Sequence, residues 1–378
     1  MAALTEEQTL LRDSARAWVK DKSPVSALRK LRDAGTPLGY DAARWKEMAE
    51  MGWPGIIVPE AHGGSEFGYL SLGLVLEEMG RTLAASPLVS SSLGAATALM
   101  LGGNAAQKEK YLAPIAAGEL VGTLAIDEGP HHAPERIAMK AKKTDAGYTL
   151  SGAKTLVAEG MAAGLFVVAA RTSGRAGSTD GLSLFLVPAD ARGVKRAALQ
   201  TMDSRGHAQV TFKAVKLGAD ALLGGEGQGW QVLEPTLDRT RAGLAAEMLG
   251  MAAAAFEQTV EYLKVRTQFG QLLSTFQALQ HRAAKMFTEL ELTRSAVEAA
   301  LQAIDTGAND IRELASLAKV RASETLHLVS NEMVQMHGGI GMTDAHDAGL
   351  YLKRARVVEA AYGNAAYHKE RFARLNGI

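Results

Sequence analysis

The chain has 378 residues, 47% hydrophobic and 22% charged, with 41 basic side chains balancing 41 acidic ones. That is globular composition, long enough for two or three packed units, with no charge excess to attract nucleic acid or an anionic membrane. There is no cysteine, which excludes disulfides, thiolate metal ligands and cysteine nucleophiles.

The N-terminal residues are polar and lack an apolar signal core, and no apolar run approaches ~18 residues. A cytoplasmic protein without a spanning helix is the expectation. Thr5 reads as an N-cap before Glu6 and Glu7, and Leu10, Leu11, Ala15, Trp18 and Val19 recur at helical spacing. A second amphipathic segment runs from Asp41 to Gly52, with Trp45, Met48 and Met51 on one side, and Gly52-Trp53-Pro54-Gly55 ends it. The short apolar run Ile56-Ile57-Val58 precedes the turn His62-Gly63-Gly64, and further helices are expected over Leu70–Met79 and Leu93–Leu101.

Near Gly118 the texture changes. Apolar runs become short and turn-bounded: 122–126, 148–150, 165–170, 182–187 and 209–212. These are strand lengths, separated by Gly-, Ser- and Asp-bearing turns, and the linker Gly224–Gly229 closes the region. Helical periodicity then returns in long Ala-rich stretches, Ala242–Tyr262, Phe276–Ala303 and Ile311–His337, whose length and apolarity suit a bundle with oligomer contacts. The reading is an α+β fold with three domains: 1–118 all-α, 119–225 β (a barrel or sandwich) and 226–378 a four-helix bundle that also serves oligomerisation.

Two segments carry the chemistry. Arg266-Thr-Gln-Phe-Gly270 and Gln335-Met-His-Gly-Gly-Ile-Gly341 each follow a long helix. Either alone reads equally as a helix stop or a tight turn. Both can bind a diphosphate, because arginine forms charge-assisted bidentate bonds and glycines let backbone N–H groups approach phosphate oxygens.

Their joint occurrence in this layout resembles the acyl-CoA dehydrogenase family. Further matches span the chain: Leu4-Thr-Glu-Glu-Gln-Thr-Leu-Leu-Arg, Pro59-Glu-Ala-His-Gly-Gly64, Leu76-Glu-Glu-Met-Gly-Arg81, Gly152-Ala-Lys154 and Leu237-Asp-Arg-Thr-Arg241. The resemblance implies FAD as cofactor. Arg266, Gln268, Phe269, Gly270 and Gln277, with Gln335, Gly338 and Gly339, would serve the adenosine diphosphate end of a flavin seated mainly in a neighbouring subunit. It also implies a tetramer, an electron-transfer flavoprotein or similar acceptor, and conversion of an acyl-CoA thioester to a trans-2-enoyl-CoA. That reaction needs a desolvated carboxylate to take the Cα proton while hydride leaves Cβ.

The pattern also breaks. Where many relatives carry the acid in Tyr-Glu-Gly-Thr, this chain has Ala361-Tyr-Gly-Asn-Ala365, with Tyr362 or Gly363 in the acid's place; at a second family position for the base it has Thr240. Glu247 is the remaining candidate. It lies seven residues beyond Thr240, about 20° off the same helix face, in the apolar run Leu244-Ala-Ala-Glu-Met-Leu-Gly250. A solvated Glu, or one paired with Arg239 or Arg241, is the plain alternative. Similar Ala-Glu-x-x-Gly segments occur in heteromeric relatives, the small subunit of pimeloyl-CoA dehydrogenase and the steroid side-chain acyl-CoA dehydrogenases. Arg241 could tune the base or contact substrate.

In the β domain, Ile126-Asp-Glu-Gly-Pro130 and Thr155-Leu-Val-Ala158 stand where relatives bond the flavin ring through hydroxyls, and Asp127 would add negative charge there. His131-His132 has no spaced partner, and neighbouring strand residues point to opposite faces, so no metal site is expected. Three readings follow: an active dehydrogenase with Glu247 as base, a half-site subunit of a heterotetramer lending adenosine-end residues to its partner, and a flavin oxidase on the same fold.

Overall fold

A computed structural model describes residues 4–378. In chain order the elements are α1 (Glu6–Lys22), α2 (Val25–Ala34), α3 (Ala42–Glu50), α4 (Gly68–Arg81), α5 (Ala96–Gly102), α6 (Ala105–Ala116), β1 (Gly122–Ala125), β2 (Lys140–Thr144), β3 (Gly147–Val157), β4 (Leu165–Arg171), β5 (Leu182–Pro188), β6 (Val194–Leu199), β7 (His207–Leu217), β8 (Leu222–Leu223), α7 (Trp230–Val265), β9 (Thr267–Gln268), β10 (Gln271–Leu272), α8 (Gln277–Thr306), α9 (Ile311–His337), α10 (Ala348–Ala360) and α11 (Ala365–Leu375). Among the described residues no helix is long and apolar enough to cross a membrane. The order is helical, β, helical, as the sequence texture indicates. Packing divides the chain differently, into one unit of residues 31–68 and 85–240 and another of 1–30, 69–84 and 241–378.

The first unit is built on one sheet, with strand order β6-β7-β3-β2-β4-β5-β8 and β1 pairing in parallel with β4. β4 is buried at every position and β5 at all but its last. Both read as apolar runs, interrupted only by Ser183 in β5 and by Arg171 at the end of β4, because neither face meets water. β2 and β6 were not foreseen. Their sequences, Lys-Ala-Lys-Lys-Thr and Val-Lys-Arg-Ala-Ala-Leu, leave only Ala141 buried between them, so no apolar pattern marks them. Two register shifts interrupt the β3–β7 pairing, the first between Leu150 and Gly152, the second between Lys154 and Val157. The start of β1 is held by a π-helical segment, Leu88–Ala95, whose Ser91 Oγ accepts the Gly122 N–H at 3.0 Å. The Trp45 indole N–H reaches the Gly118 carbonyl at 2.8 Å, tying α3 to the end of the helical region.

The second unit is helical. Thr5 forms the expected N-cap, in a capping box with Gln8. Asp305 on α8 caps α4 from a distance, accepting the N–H groups of Tyr69 and Leu70 at 2.6 and 2.9 Å. α4 and α7 approach so closely that two glycines are required. A Cβ on Gly80 would lie 2.0 Å from the Glu247 carbonyl oxygen, and one on Gly250 would lie 1.8 Å from that of Glu77. Charges line the same contact: Arg16 bonds the buried Glu78 at 2.7 Å, and Arg81 pairs with Glu257. The Tyr351 hydroxyl on α10 donates to the Arg81 carbonyl at 2.5 Å and accepts from Gln258 on α7 at 3.1 Å. α9 spans the expected residues, whereas α7 begins twelve residues ahead of the Ala-rich stretch, at Trp230, with Pro235 inside it.

Candidate active site

The helices that lead into the two glycine-bearing motifs, α7 and α9, touch near their C-terminal ends. The His337 ring stacks on Tyr262 with centroids 4.3 Å apart and lies 4.2 Å from the His346 ring. The Tyr262 hydroxyl donates to the His337 carbonyl at 3.4 Å. The C-terminal end of α7 is thereby fastened to that of α9. His337 is buried, and its Nδ1 sits 2.7 Å from the Met333 carbonyl. Burial, with the His346 ring nearby, holds its imidazole below the usual range. It is a packing residue.

Around this fastening the motif residues face outward. Arg266, Gln268, Gly270, Gln277, Gln335, Gly338 and Gly339 are all exposed, and Phe269 is 90% exposed. Thr267–Gln268 and Gln271–Leu272 pair as a small hairpin with Phe269 and Gly270 at its tip. A Cβ built on Gly270, Gly338 or Gly339 would meet nothing within 4 Å. Open backbone, an exposed guanidinium and an exposed aromatic face suit the adenosine diphosphate arm of FAD: N–H groups and Arg266 for phosphate oxygens, Phe269 for an apolar contact.

Glu247 and Arg241 lie on α7. Glu247 is 6% exposed, so it is not on a solvated stripe. Its partner is neither Arg239 nor Arg241 but Arg354 of α10, whose Nε and Nη2 reach Oε1 at 3.1 and 2.7 Å. Arg241 is 1% exposed and turns to the 361–364 turn. Its Nε donates to the Tyr362 carbonyl at 3.1 Å, Nη2 donates to the Tyr367 hydroxyl at 3.3 Å, and the guanidinium lies 5.5 Å from the Tyr367 ring centre. Arg241 thus supports a loop in this structure.

That turn is held from below by a cationic cluster. Lys319 of α9, fully buried, donates to the carbonyls of Val358, Glu359 and Gly363 at 2.9, 3.1 and 3.1 Å. Burial, with Arg241 nearby, pushes its ammonium down to about 7. Burial and the charges of Arg241, Lys319 and Arg371 hold His368 far below the usual imidazole range. The ring is therefore neutral, and its Nε2–H donates to the Tyr362 carbonyl at 3.0 Å. Gly363 adopts φ +106°, and a Cβ there would lie 2.5 Å from the Tyr367 ring and 2.8 Å from His368 Nε2. Of the two positions that could replace the usual acid, 363 has no room for any side chain. Tyr362 occupies the left-handed region at φ +54°.

The segments expected near a flavin ring lie in the sheet unit. The Thr155 N–H donates to the Asp127 carbonyl at 2.8 Å, so the two segments are adjacent as the resemblance implies. The Asp127 carboxylate turns to His132 Nδ1 at 3.0 Å and to the Ala133 N–H at 3.3 Å. Neither histidine is on a strand: His131 lies in a bend and His132 directly after it, bonded to Asp127. Lys154 is completely buried between the Ile126 carbonyl at 2.8 Å and Glu128 at 2.7 Å. Burial pushes Lys154 down to about 8. Glu128, although burial raises it, ends below its ordinary value through Lys154 and the N–H groups of Ala138 and Met139. The Thr123 hydroxyl is engaged by the Ala158 carbonyl at 2.7 Å. Leu156, Val157 and Ala158 bring no hydroxyl, so polar contacts to a ring here fall to backbone groups.

Arg354 and Lys319 were not singled out from the sequence, yet both carried a signal. Arg354 falls between Tyr351, Ala355 and Val358, and Lys319 between Ala315, Ala322 and Leu326. All these neighbours are buried at i, i+3, i+4 spacing, so each cation sits within an apolar helix stripe.

Comparison with known proteins places this geometry. Residues 5–119, 131–215 and 227–375 match the N-terminal, middle and C-terminal domain models of acyl-CoA dehydrogenase. The chain is 34% identical to the mitochondrial isovaleryl-CoA dehydrogenase of Arabidopsis thaliana over 335 residues, 86% of this chain and 80% of that one. Butyryl-CoA dehydrogenase from Megasphaera elsdenii has a similar structure, with a TM-score of 0.92 at 27% identity, covering 100% of both chains. A chain of the Tcur3481-Tcur3483 steroid ACAD aligns with a TM-score of 0.88 at 32% identity, covering 98% of each. Three domain matches in the right order, together with a relative 34% identical over 86% of the chain, show that this chain belongs to the acyl-CoA dehydrogenase family of FAD-dependent oxidoreductases.

Proposed function

We propose that the chain carries out α,β-dehydrogenation of an acyl-CoA thioester to the trans-2-enoyl-CoA, with Glu247 as the base. The observation that carries this is a buried carboxylate in an apolar helical run, held by a single guanidinium, in a chain whose family acid is missing at both other positions. A charged group in such a run is rarely kept without a partner or a task; Arg354 is the partner, and the task is inferred from the missing acid at the other two positions. The thioester carbonyl acidifies the Cα–H, and Glu247 takes that proton. FAD, when bound, accepts the hydride from Cβ. Arg266, Gln268, Phe269, Gly270, Gln277, Gln335, Gly338 and Gly339 hold its adenosine diphosphate arm, and Arg241 keeps the turn at 361–364 in place.

Several finer assignments belong to the same reading. Electrons leave to an electron-transfer flavoprotein or a similar acceptor, and the assembly is a homo- or heterotetramer with a related subunit. The turn Tyr362-Gly363-Asn364-Ala-Ala366 in place of a bulkier acid-bearing loop favours a bulky or dicarboxylic acyl group. Turnover confined to butyryl- to octanoyl-CoA would refute that substrate class. Glu247→Gln is expected to keep flavin and lose dehydrogenation, and full activity in that variant sinks the base assignment.

A second reading is favoured by the absence of hydroxyls at 156–158: a half-site subunit that lends its adenosine-end residues to a partner's flavin. The visible spectrum of the purified chain, with and without a co-expressed related subunit, separates the two. A chain yellow by itself supports the first reading; one that is colourless until co-expressed supports the second.

A further inference from the structure

Glu247 and Arg354 come from different helices, α7 and α10, and their side chains are 7% and 12% exposed. Both guanidinium contacts fall on the same carboxylate oxygen, Oε1. A fork-to-fork pair, the arrangement that fixes an arginine most firmly to an acid, would use both oxygens. Neighbouring charges are committed elsewhere. On α4, Gly80 packs on the Glu247 backbone, Glu78 bonds Arg16 and lies 3.7 Å from Arg81, and Arg81 pairs with Glu257. Along α7, Arg241 is turned to Tyr362 and Tyr367.

We infer that Arg354 is the positioning residue for Glu247, fixing the carboxylate through Oε1 so that Oε2 is the oxygen that takes the Cα proton. This rests on Glu247 being the base. In the step itself the Cα–H and Cβ–H bonds break and the C=C bond forms; the proton goes to Oε2 and the hydride to the flavin. A fixed planar cation on the opposite oxygen confines the carboxylate to one rotamer. Lysine at 354 would keep the charge and lose the planar grip, whereas glutamine would lose the charge.

The test is exchange of the Cα hydrogens with solvent deuterium, read by NMR across a pH series. It uses the flavin-loaded assembly and an acyl-CoA that the wild type turns over, drawn from a panel of straight-chain, branched, dicarboxylic and steroid thioesters. Exchange reads proton removal without hydride transfer. With Arg354→Gln, the acidic limb of the profile should move to higher pH by about one unit or more, the size expected when a carboxylate loses a neighbouring guanidinium. With Arg354→Lys, the limb should stay in place while exchange slows at every pH. Should the glutamine variant not fold, an unchanged exchange rate in Arg354→Lys overturns the inference. If Glu247→Gln still exchanges, or the wild type exchanges with none of the panel, the base assignment fails and this inference with it. If Glu247→Gln is inert while Arg354→Gln leaves the limb unmoved, only the role of Arg354 falls.

Discussion

Replacing Gly250 with alanine sets two effects of known size against each other. A glycine inside a helix costs about 1 kcal/mol relative to alanine, so propensity alone favours the variant. Packing opposes it. The new Cβ would lie 1.8 Å from the Glu77 carbonyl oxygen and 2.7 Å from its carbon, both rigid backbone of α4. Ordinary contact requires the two helices to part by more than ~1 Å, and such overpacking costs ~1–3 kcal/mol. The net expectation is a loss of up to about 2 kcal/mol, or a melting point lowered by up to a few degrees. Glu247 lies one turn earlier on α7, with its own carbonyl oxygen against Gly80, so the separation displaces the candidate base as well. A shift of ~1 Å at a reacting group costs on the order of 10²-fold in rate. Gly349→Ala in α10 is the matched control, because a Cβ there meets nothing within 4 Å and only the propensity gain applies. Thermal melts and flavin-reduction rates of the two variants decide the matter. If Gly250→Ala gains stability as Gly349→Ala does and keeps its rate, the close approach of α4 and α7 is wrong.

Two further outcomes are expected. Lys319 titrates near 7 when folded and near 10.4 when unfolded, so between those values the unfolded chain binds more protons and this group's contribution to stability rises with pH. The unfolding free energy of the wild type minus that of Lys319→Met should therefore climb from pH 7 towards pH 10, by at most about 1.4 kcal/mol per unit; a flat or falling difference in denaturant titrations refutes it. Arg266→Ala should weaken FAD binding about 10- to 100-fold, the loss of a charge-assisted bond, with little change in melting temperature of the flavin-free chain, since the side chain is exposed. Unaltered FAD affinity by fluorescence titration would remove Arg266 from the phosphate end.

Much of this protein is legible in its residues because the signal is local. Thr5 with Gln8 writes a helix start, the apolar runs of β4 and β5 write strands covered on both faces, and the Ala-rich stretch Ile311–His337 writes a helix of the same bounds. The glycine-bearing motifs and Arg266 mark the FAD family for the same reason: backbone freedom and charge are properties of the residues themselves. β2 and β6 escape because their own side chains stay in water, so no apolar pattern marks them although each pairs with the next strand in the chain. The partner of Glu247 also had to come from folding. Arg354 lies 107 residues away, and only the packing of α10 on α7 brings the two side chains to 2.7 Å, where the low-dielectric surroundings make the choice of partner matter. Likewise, sequence alone left Tyr362 and Gly363 open as the residue replacing the acid. The φ of +106° at Gly363 and the ring of Tyr367 beside it close position 363 to any side chain, a steric fact created by the chain folding back on itself.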